Sequence, residues 1–270
     1  MVLCTLGDAV LDVVVRLGRG LVAGDDVPAG TNLAAGGQAA NVAAWAAALG
    51  ATARYVGRRA DDFAGRLLEA ELAERGVDLA GPVGGRTGVV VSLIGADSDR
   101  SMASDRGSAT ELAAADLEAD WLRDCDRLHV SGYVLAADPG AGAAAEAARL
   151  ARAAGARVSL DLSSSTLIEA TGADAFRARV EAVTPELVFA TEDEAEALAG
   201  AGAWVTVLKQ GAAGCTVIRD GESERFAAAP ATPVDATGAG DAFAAGYLVG
   251  GPELALEAGA RCVSSVGAMP

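Results

Sequence analysis

Short apolar runs alternate with helix-period segments along most of this chain, and no other feature restricts the fold as strongly. MVLCTL (1–6) reads as a buried strand ending at Gly7. In GGQAANVAAWAAALG (36–50), Val42, Trp45, Ala46 and Leu49 recur at the spacing of one helix face, and Gly50 suits the stop. ARYVG is the next strand and FAGRLLEAELAERG the next helix. Downstream, RLHVSG, RVSLDLS, ELVFAT and WVTVLKQG read as strands, with GAGAAAEAARLARAAG and TEDEAEALAG as helices between them. Such alternation predicts a parallel sheet covered on both faces. The chain has 270 residues, 51% of them hydrophobic, which suffices for one large core.

Two segments break this rhythm. Residues 13–36 and 87–104 hold β-rich runs punctuated by turn residues and no helical pattern. They predict a small sheet set apart from a body made of residues 1–12, 37–86 and 105–270, either as inert decoration or as a lid. CTVIRDGESERFAA (215–228) reads as a further hairpin turning at Asp220-Gly221. Exposed lid strands also leave room for a homodimer.

Composition narrows the partners. With 21 Lys and Arg against 37 Asp and Glu, the net charge is −16, and no basic cluster interrupts it. Nucleic acid and anionic membranes are therefore not expected partners. Cys4, Cys125, Cys215 and Cys262 lie far apart without a CxxC pair, so neither a zinc site nor a disulfide framework is expected. The single histidine, His129, sits in an apolar run and reads as a core or turn residue. No stretch reaches the roughly 18 apolar residues of a membrane span. The first residues carry acids within their apolar run and no basic leader, so the expected location is cytoplasmic.

The chemistry concentrates in DATGAGDAFAAG (235–246). Gly238, Ala239 and Gly240 stand where an irregular turn enters a helix expected from about Asp241 to Val249. Glycines let successive N–H groups converge, and the helix dipole adds positive potential there. That spot suits the oxygens of a phosphoryl group, and Asp241 could accept the proton of an attacking hydroxyl. The plainer reading is a tight turn with Asp241 as helix cap. In GGQAAN, Gly36 and Gly37 precede a helix carrying Asn41 in its first turn, and an amide suits a polyol. Asp12 in GDAVLD could aim a carboxylate at sugar hydroxyls. Asp161 and Ser163 close a strand at the edge where open α/β sheets bind ligands. Arg106, after the second lid segment, could meet a substrate carboxylate or phosphate, or serve a surface ion pair.

GGQAANVAAWAAALGA followed far downstream by DATGAGDAFAAGYL resembles the paired signatures of the ribokinase-like, or PfkB, carbohydrate kinases. The resemblance spans essentially the whole chain. It implies an α/β ribokinase-like fold, with a central mostly parallel sheet flanked by helices and a small β-sheet lid. It implies transfer of the γ-phosphoryl group of ATP, with Mg2+, to a hydroxymethyl group of a small sugar or sugar acid. By that similarity Asp241 is the general base, and Gly238, Ala239 and Gly240 form the anion hole. Asp12, Gly37 and Asn41 match substrate-binding positions, with Arg106 a specificity position. VLKQGAAGC places Lys209, Gly211 and Gly214 near ATP. Where the family has Asn-x-x-Glu, this chain has Thr191 and Glu194, which touches the nucleotide contact and the indirect hold on the metal. A P-loop and a dinucleotide-binding glycine fingerprint are both missing. A nucleoside kinase and a non-catalytic sugar-binding protein remain alternatives on the same scaffold.

Overall fold

A computed structural model describes residues 1–95, 100–198 and 205–270, with backbone alone at Arg100 and Val205. Residues 96–99 of the second lid segment, the end of the TEDEAEALAG helix and Trp204 of the WVTVLKQG strand lie outside the described residues.

Among the described residues the main sheet has nine strands. Seven run parallel: β1 (Val2–Leu6), β4 (Thr52–Val56), β5 (Val77–Ala80), β8 (Arg127–Ser131), β9 (Arg157–Asp161), β10 (Leu187–Thr191) and β11 (Val205–Lys209). The hairpin β12 (Cys215–Arg219) and β13 (Glu222–Phe226) extends it antiparallel, giving the order β13-β12-β11-β10-β9-β8-β1-β4-β5. The chain builds outward from β1 in one direction, then returns to β8 and builds in the other. The two halves therefore diverge at the β1/β8 seam, where an open α/β sheet leaves a crevice at its carboxyl edge.

Alternating side chains on the strands feed two cores. Leu3 and Tyr55 face one layer, which holds α1 (Gln38–Ala48), α2 (Phe63–Glu74), α7 (Ala239–Gly250) and α8 (Pro252–Val263). Cys4, Leu6 and Val56 face the other, which holds α3 (Gly140–Ala153), α4 (Ser165–Thr171), α5 (Ala173–Val183) and α6 (Glu192–Ala197). The four cysteines are free and buried. No helix among the described residues is long and apolar enough to cross a membrane.

The sequence reading passes over β5, α4, α5 and α8. β5 is only four residues long and takes its pairing from β4. α8 follows α7 after Gly251 alone and opens on Pro252, a residue suited to the first position of a helix; Gly246 makes the tight hairpin possible, since a Cβ there would lie 2.6 Å from the Leu254 carbonyl oxygen.

A second sheet of four strands is ordered β3-β2-β6-β7: β2 (Val10–Leu17), β3 (Ala29–Gly36), β6 (Thr87–Ile94) and β7 (Arg100–Gly107). β2 pairs parallel with β6, and the outer pairs are antiparallel. Its edges differ from the sequence expectation. Asp12 belongs to β2 rather than to the body, and Arg106 lies inside β7 rather than after it. Strand pairing carries on until a backbone N–H loses its partner, and that point is set by the neighbouring strand.

His129 on β8 is fully buried. Its Nδ1 lies 3.0 Å from Ser159 Oγ, and Nε2 has no hydrogen-bond partner among the described residues. Burial pushes the imidazole down to about 4 from 6.5. The folded protein holds it neutral, whereas the unfolded chain protonates near its ordinary value. Its contribution is thus complete above about pH 6.5 and is lost as pH falls toward 4, by on the order of 3 kcal/mol. Urea unfolding between pH 7 and pH 4 is expected to show a steeper acid loss for the wild-type chain than for His129→Leu. Parallel pH profiles would contradict this reading.

Candidate active site

The residues singled out by sequence gather at the carboxyl edge of the main sheet. Register explains why: Ser131 pairs beside Asp161, and Thr191 beside Lys209, the second pair standing two residues further along because Asp161 lies opposite Phe189. β1 finishes beside them and delivers Gly7 and Asp8. α1 and α7 cover this edge and touch each other, and both carry small buried residues in one core, among them Ala40, Ala44, Ala242 and Ala245. Small side chains let the two helices come close.

That approach brings Asn41 to Asp241. Asn41 Nδ2 donates to Asp241 Oδ2 at 2.8 Å. Asp241 is the third residue of α7, and its side chain does not cap the helix; Gly238 occupies the cap position with φ 74°. A Cβ on Gly238 would lie 2.6 Å from Ala268. The turn before it is braced by Asp235, whose Oδ1 accepts from Thr237 N and Oγ1, and by Gly267 N on Oδ2. Ala239 N donates to the Ala236 carbonyl at 3.3 Å, and the next N–H groups, of Gly240 and Asp241, come too early in α7 for a partner on its own ladder.

Lys209 Nζ donates to Asp161 Oδ2 at 2.6 Å and lies 3.6 Å from where a Gly240 Cβ would stand. An ammonium beside the positive end of a helix is unfavourable by itself, and Asp161 offsets this. Burial pushes the Lys209 ammonium down, but the Asp161 and Glu194 carboxylates outweigh it and the net direction is up. Asp241 keeps some surface exposure, yet desolvation dominates its carboxyl and raises it to about 8. The Asn41 hydrogen bond and Lys209 pull it down; Asp161 and Asp8 push it further up.

Asp8, which the sequence reading overlooked, is buried and forms an ion pair through Oδ2 with Arg106 Nη1. The Arg106 guanidinium also lies over the Tyr133 ring, 3.6 Å from its centroid. Arg106 is therefore engaged on two sides. Asp12 packs against Gly36, leaving no room there for a Cβ, and Gly37 (φ 97°) fits against the Asp8 carbonyl. Gln38 Oε1 accepts from Ser131 Oγ at 2.5 Å and Ser163 Oγ at 2.6 Å, tying α1 to β8 and the loop after β9. Thr191 caps α6: its Oγ1 accepts from Glu194 N, and Glu194 Oε2 accepts from Thr191 N. Glu194 is buried rather than the exposed acid its charged neighbours imply, and burial pushes its carboxyl up against the pull of Lys209. Among the described residues, no three acids, histidines or cysteines form a metal cage.

A cleft of about 560 Å³ opens on the other side of the glycine turn. Lys209, Gly211, Gly214, Ala239 and Gly240 line it, as sequence reasoning expected of residues near one another. Its far wall comes from Phe243 and from Leu256, Ala260 and Val263 of α8, together with Pro230 and Pro233. One side is thus apolar and the other is the N-terminus of α7, a combination suited to a flat apolar ring joined to an anionic tail. Asp8 had a readable signal, since it follows Gly7 at a strand end; α8 had one in Pro252 at its first position.

The family model described as pfkB family carbohydrate kinase matches residues 3–269, and the chain belongs to that family. It is a carbohydrate kinase, a phosphotransferase, on a ribokinase-like fold. It is similar to a fructokinase-1 of Oryza sativa subsp. japonica, at 31% identity over 80% of this chain and 73% of that protein. A 5-dehydro-2-deoxygluconokinase of Shouchella clausii is 28% identical over 80% of this chain and 73% of its own length. The crystal structure of adenosine kinase from Sinorhizobium meliloti superposes with TM-score 0.86 at 27% identity, covering 99% and 95% of the two chains.

The Asp241 assignment can be tested by titration. Carboxyl NMR is expected to show one aspartate, the resonance missing in Asp241→Asn, titrating near pH 8 in the free protein. It should titrate higher still in Asn41→Ala, where the hydrogen bond favouring the ionised form is gone. An ordinary value near 4 would overturn the assignment.

Proposed function

We propose that this kinase transfers the γ-phosphoryl group of ATP to a hydroxymethyl group of a small sugar, with Asp241 as general base. The observation that carries this reading is the grouping of one desolvated carboxyl, an amide that orients it, and a buried ammonium around the N-terminal turn of α7.

ATP takes the apolar cleft, its ring against Phe243 and Leu256 and its phosphates toward Gly238, Ala239 and Gly240. Gly211 and Gly214 shape the floor beside it. The sugar takes the opposite side, between Asp12, Gly37 and Asn41, under the four-stranded sheet acting as a lid. Asp241 removes the proton of the attacking hydroxyl, and its raised affinity for that proton makes it a base matched to neutral or slightly alkaline pH. The backbone N–H groups of the turn stabilise the charge of the moving phosphoryl group, so most of the rate comes from positioning and electrostatics. Lys209 can exchange Asp161 for a phosphate oxygen without leaving its strand. Lid closure excludes water as a competing acceptor.

Magnesium fits as an ion carried by the nucleotide, because it retains water and takes few protein ligands. Glu194 would hold its shell, one oxygen remaining bound to Thr191 N–H. Bound there, the ion would neutralise charge on the phosphates. Thr191 stabilises α6 through its cap and leaves the nucleotide contact to Lys209.

Asp241→Asn is expected to lower kcat at least about 10²–10⁴-fold, while calorimetry still detects sugar binding. Near-normal turnover would refute the base assignment. Lys209→Met is expected to lower kcat about 10²–10³-fold with little change in the KM for sugar, as for loss of one charge-stabilising donor. A change confined to the KM for sugar would place Lys209 elsewhere.

A further inference from the structure

We infer that the acceptor is a neutral polyol, and that Asp8, by occupying Arg106, is the residue that excludes sugar acids. The inference rests on the reading above that the sugar lies between Asn41 and the small sheet.

Two buried oxygens carry it. Asp8 Oδ1 and Asn41 Oδ1 both lack a hydrogen-bond partner among the described residues, and Asp8 and Asn41 are 2% and 5% exposed. Their main chains are adjacent: Ala40 N donates to the Asp8 carbonyl at 3.4 Å, one residue before Asn41. Asp241 and Tyr133 both feel the Asp8 charge, so the carboxylate belongs to this cleft and not to a separate pocket. A buried acceptor without a donor is costly, and buried polar atoms in folded proteins are nearly always satisfied. The group that satisfies both is a hydroxyl donor, and a sugar carries several.

A carboxylate could not replace it. An ionised carboxylate only accepts, and here it would meet two bare acceptors. The cation best placed to receive it, Arg106, already spends one nitrogen on Asp8 and its face on Tyr133. Lys209 is bound to Asp161 and stands by the α7 turn, on the phosphate side. Asp8 therefore acts twice: it accepts from a sugar hydroxyl, and it cancels the charge a sugar acid would need. Specificity here comes as much from the repulsive element as from the attractive one. Among the similar proteins, this favours an acceptor like that of the fructokinase over one like that of the deoxygluconokinase.

ATP-dependent phosphorylation is to be measured with D-fructose and D-ribose, and with 5-dehydro-2-deoxygluconate and 2-dehydro-3-deoxygluconate. The wild-type enzyme is expected to favour a neutral sugar over either acid by at least about 10²-fold in kcat/KM, roughly what loss of one buried charge pairing supports. Asp8→Asn, which keeps the shape and removes the charge, should lower the neutral rate and narrow that ratio at least about tenfold. Asp8→Ala should narrow it too, and adding Arg106→Met should abolish whatever acid activity appears. ATP binding, measured by calorimetry, should survive in each variant and shows that the fold persists. An acid used as well as a neutral sugar by the wild type overturns this inference and leaves the kinase reading standing. So does an unchanged ratio in both Asp8 variants. No turnover of any of the four compounds overturns the placement of the sugar as well.

Discussion

Three carboxylates, Asp8, Asp161 and Asp241, are brought out of water to one end of one sheet, and holding them there is the constraint around which the rest is arranged. Each has its own partner: Arg106 for Asp8, Lys209 for Asp161, and the uncharged Asn41 amide for Asp241. The asymmetry matters. Desolvation is what chiefly lifts the Asp241 carboxyl; the Asn41 hydrogen bond draws it back by more than Asp161 pushes it up, and Asp8 adds a smaller push. A base that must hold a proton and release it near neutral pH follows from desolvating Asp241 and giving it an amide, not a cation, as its hydrogen-bond partner.

Topology supplies the meeting point. Because the chain builds outward from β1 and then from β8, strand ends from both halves of the sequence finish at the same edge. The parallel register sets Ser131 level with Asp161, and Thr191 level with Lys209 two residues further along. Gln38 ties the first residue of α1 to the end of β8 and to the loop after β9, which sets the height of Asn41. The short side chains of α1 and α7 then set its distance from Asp241. The abundance of alanine on these helices is thus a geometric requirement as well as a matter of helix propensity.

The glycine turn was legible because backbone geometry there depends on local residues: Gly238 needs a positive φ, and no side chain fits against Ala268. Asn41 was legible as the first-turn residue of a helix with clear periodicity. Thr191 was noticed as a departure, but its capping box with Glu194 shows how the substitution keeps α6 anchored. The Asp8–Arg106 pair was not legible, since 98 residues separate the partners and either alone reads as an ordinary turn acid or surface arginine. The apolar wall from α8 was hidden for a similar reason: helix periodicity reveals that a face is buried, but not that part of it is left uncovered beside a turn 20 residues away.

By itself, the amino-acid order determined the alternating strands and helices, the segments that join the second sheet, and the turn whose N–H groups converge, because these depend on periodicity and on torsion limits within a few residues. The tertiary structure alone decided which charges pair, which acceptors remain bare, and how strongly Asp241 holds its proton. Those quantities depend on distances and desolvation between side chains far apart in sequence, which exist only once the sheet has closed on both of its helical layers.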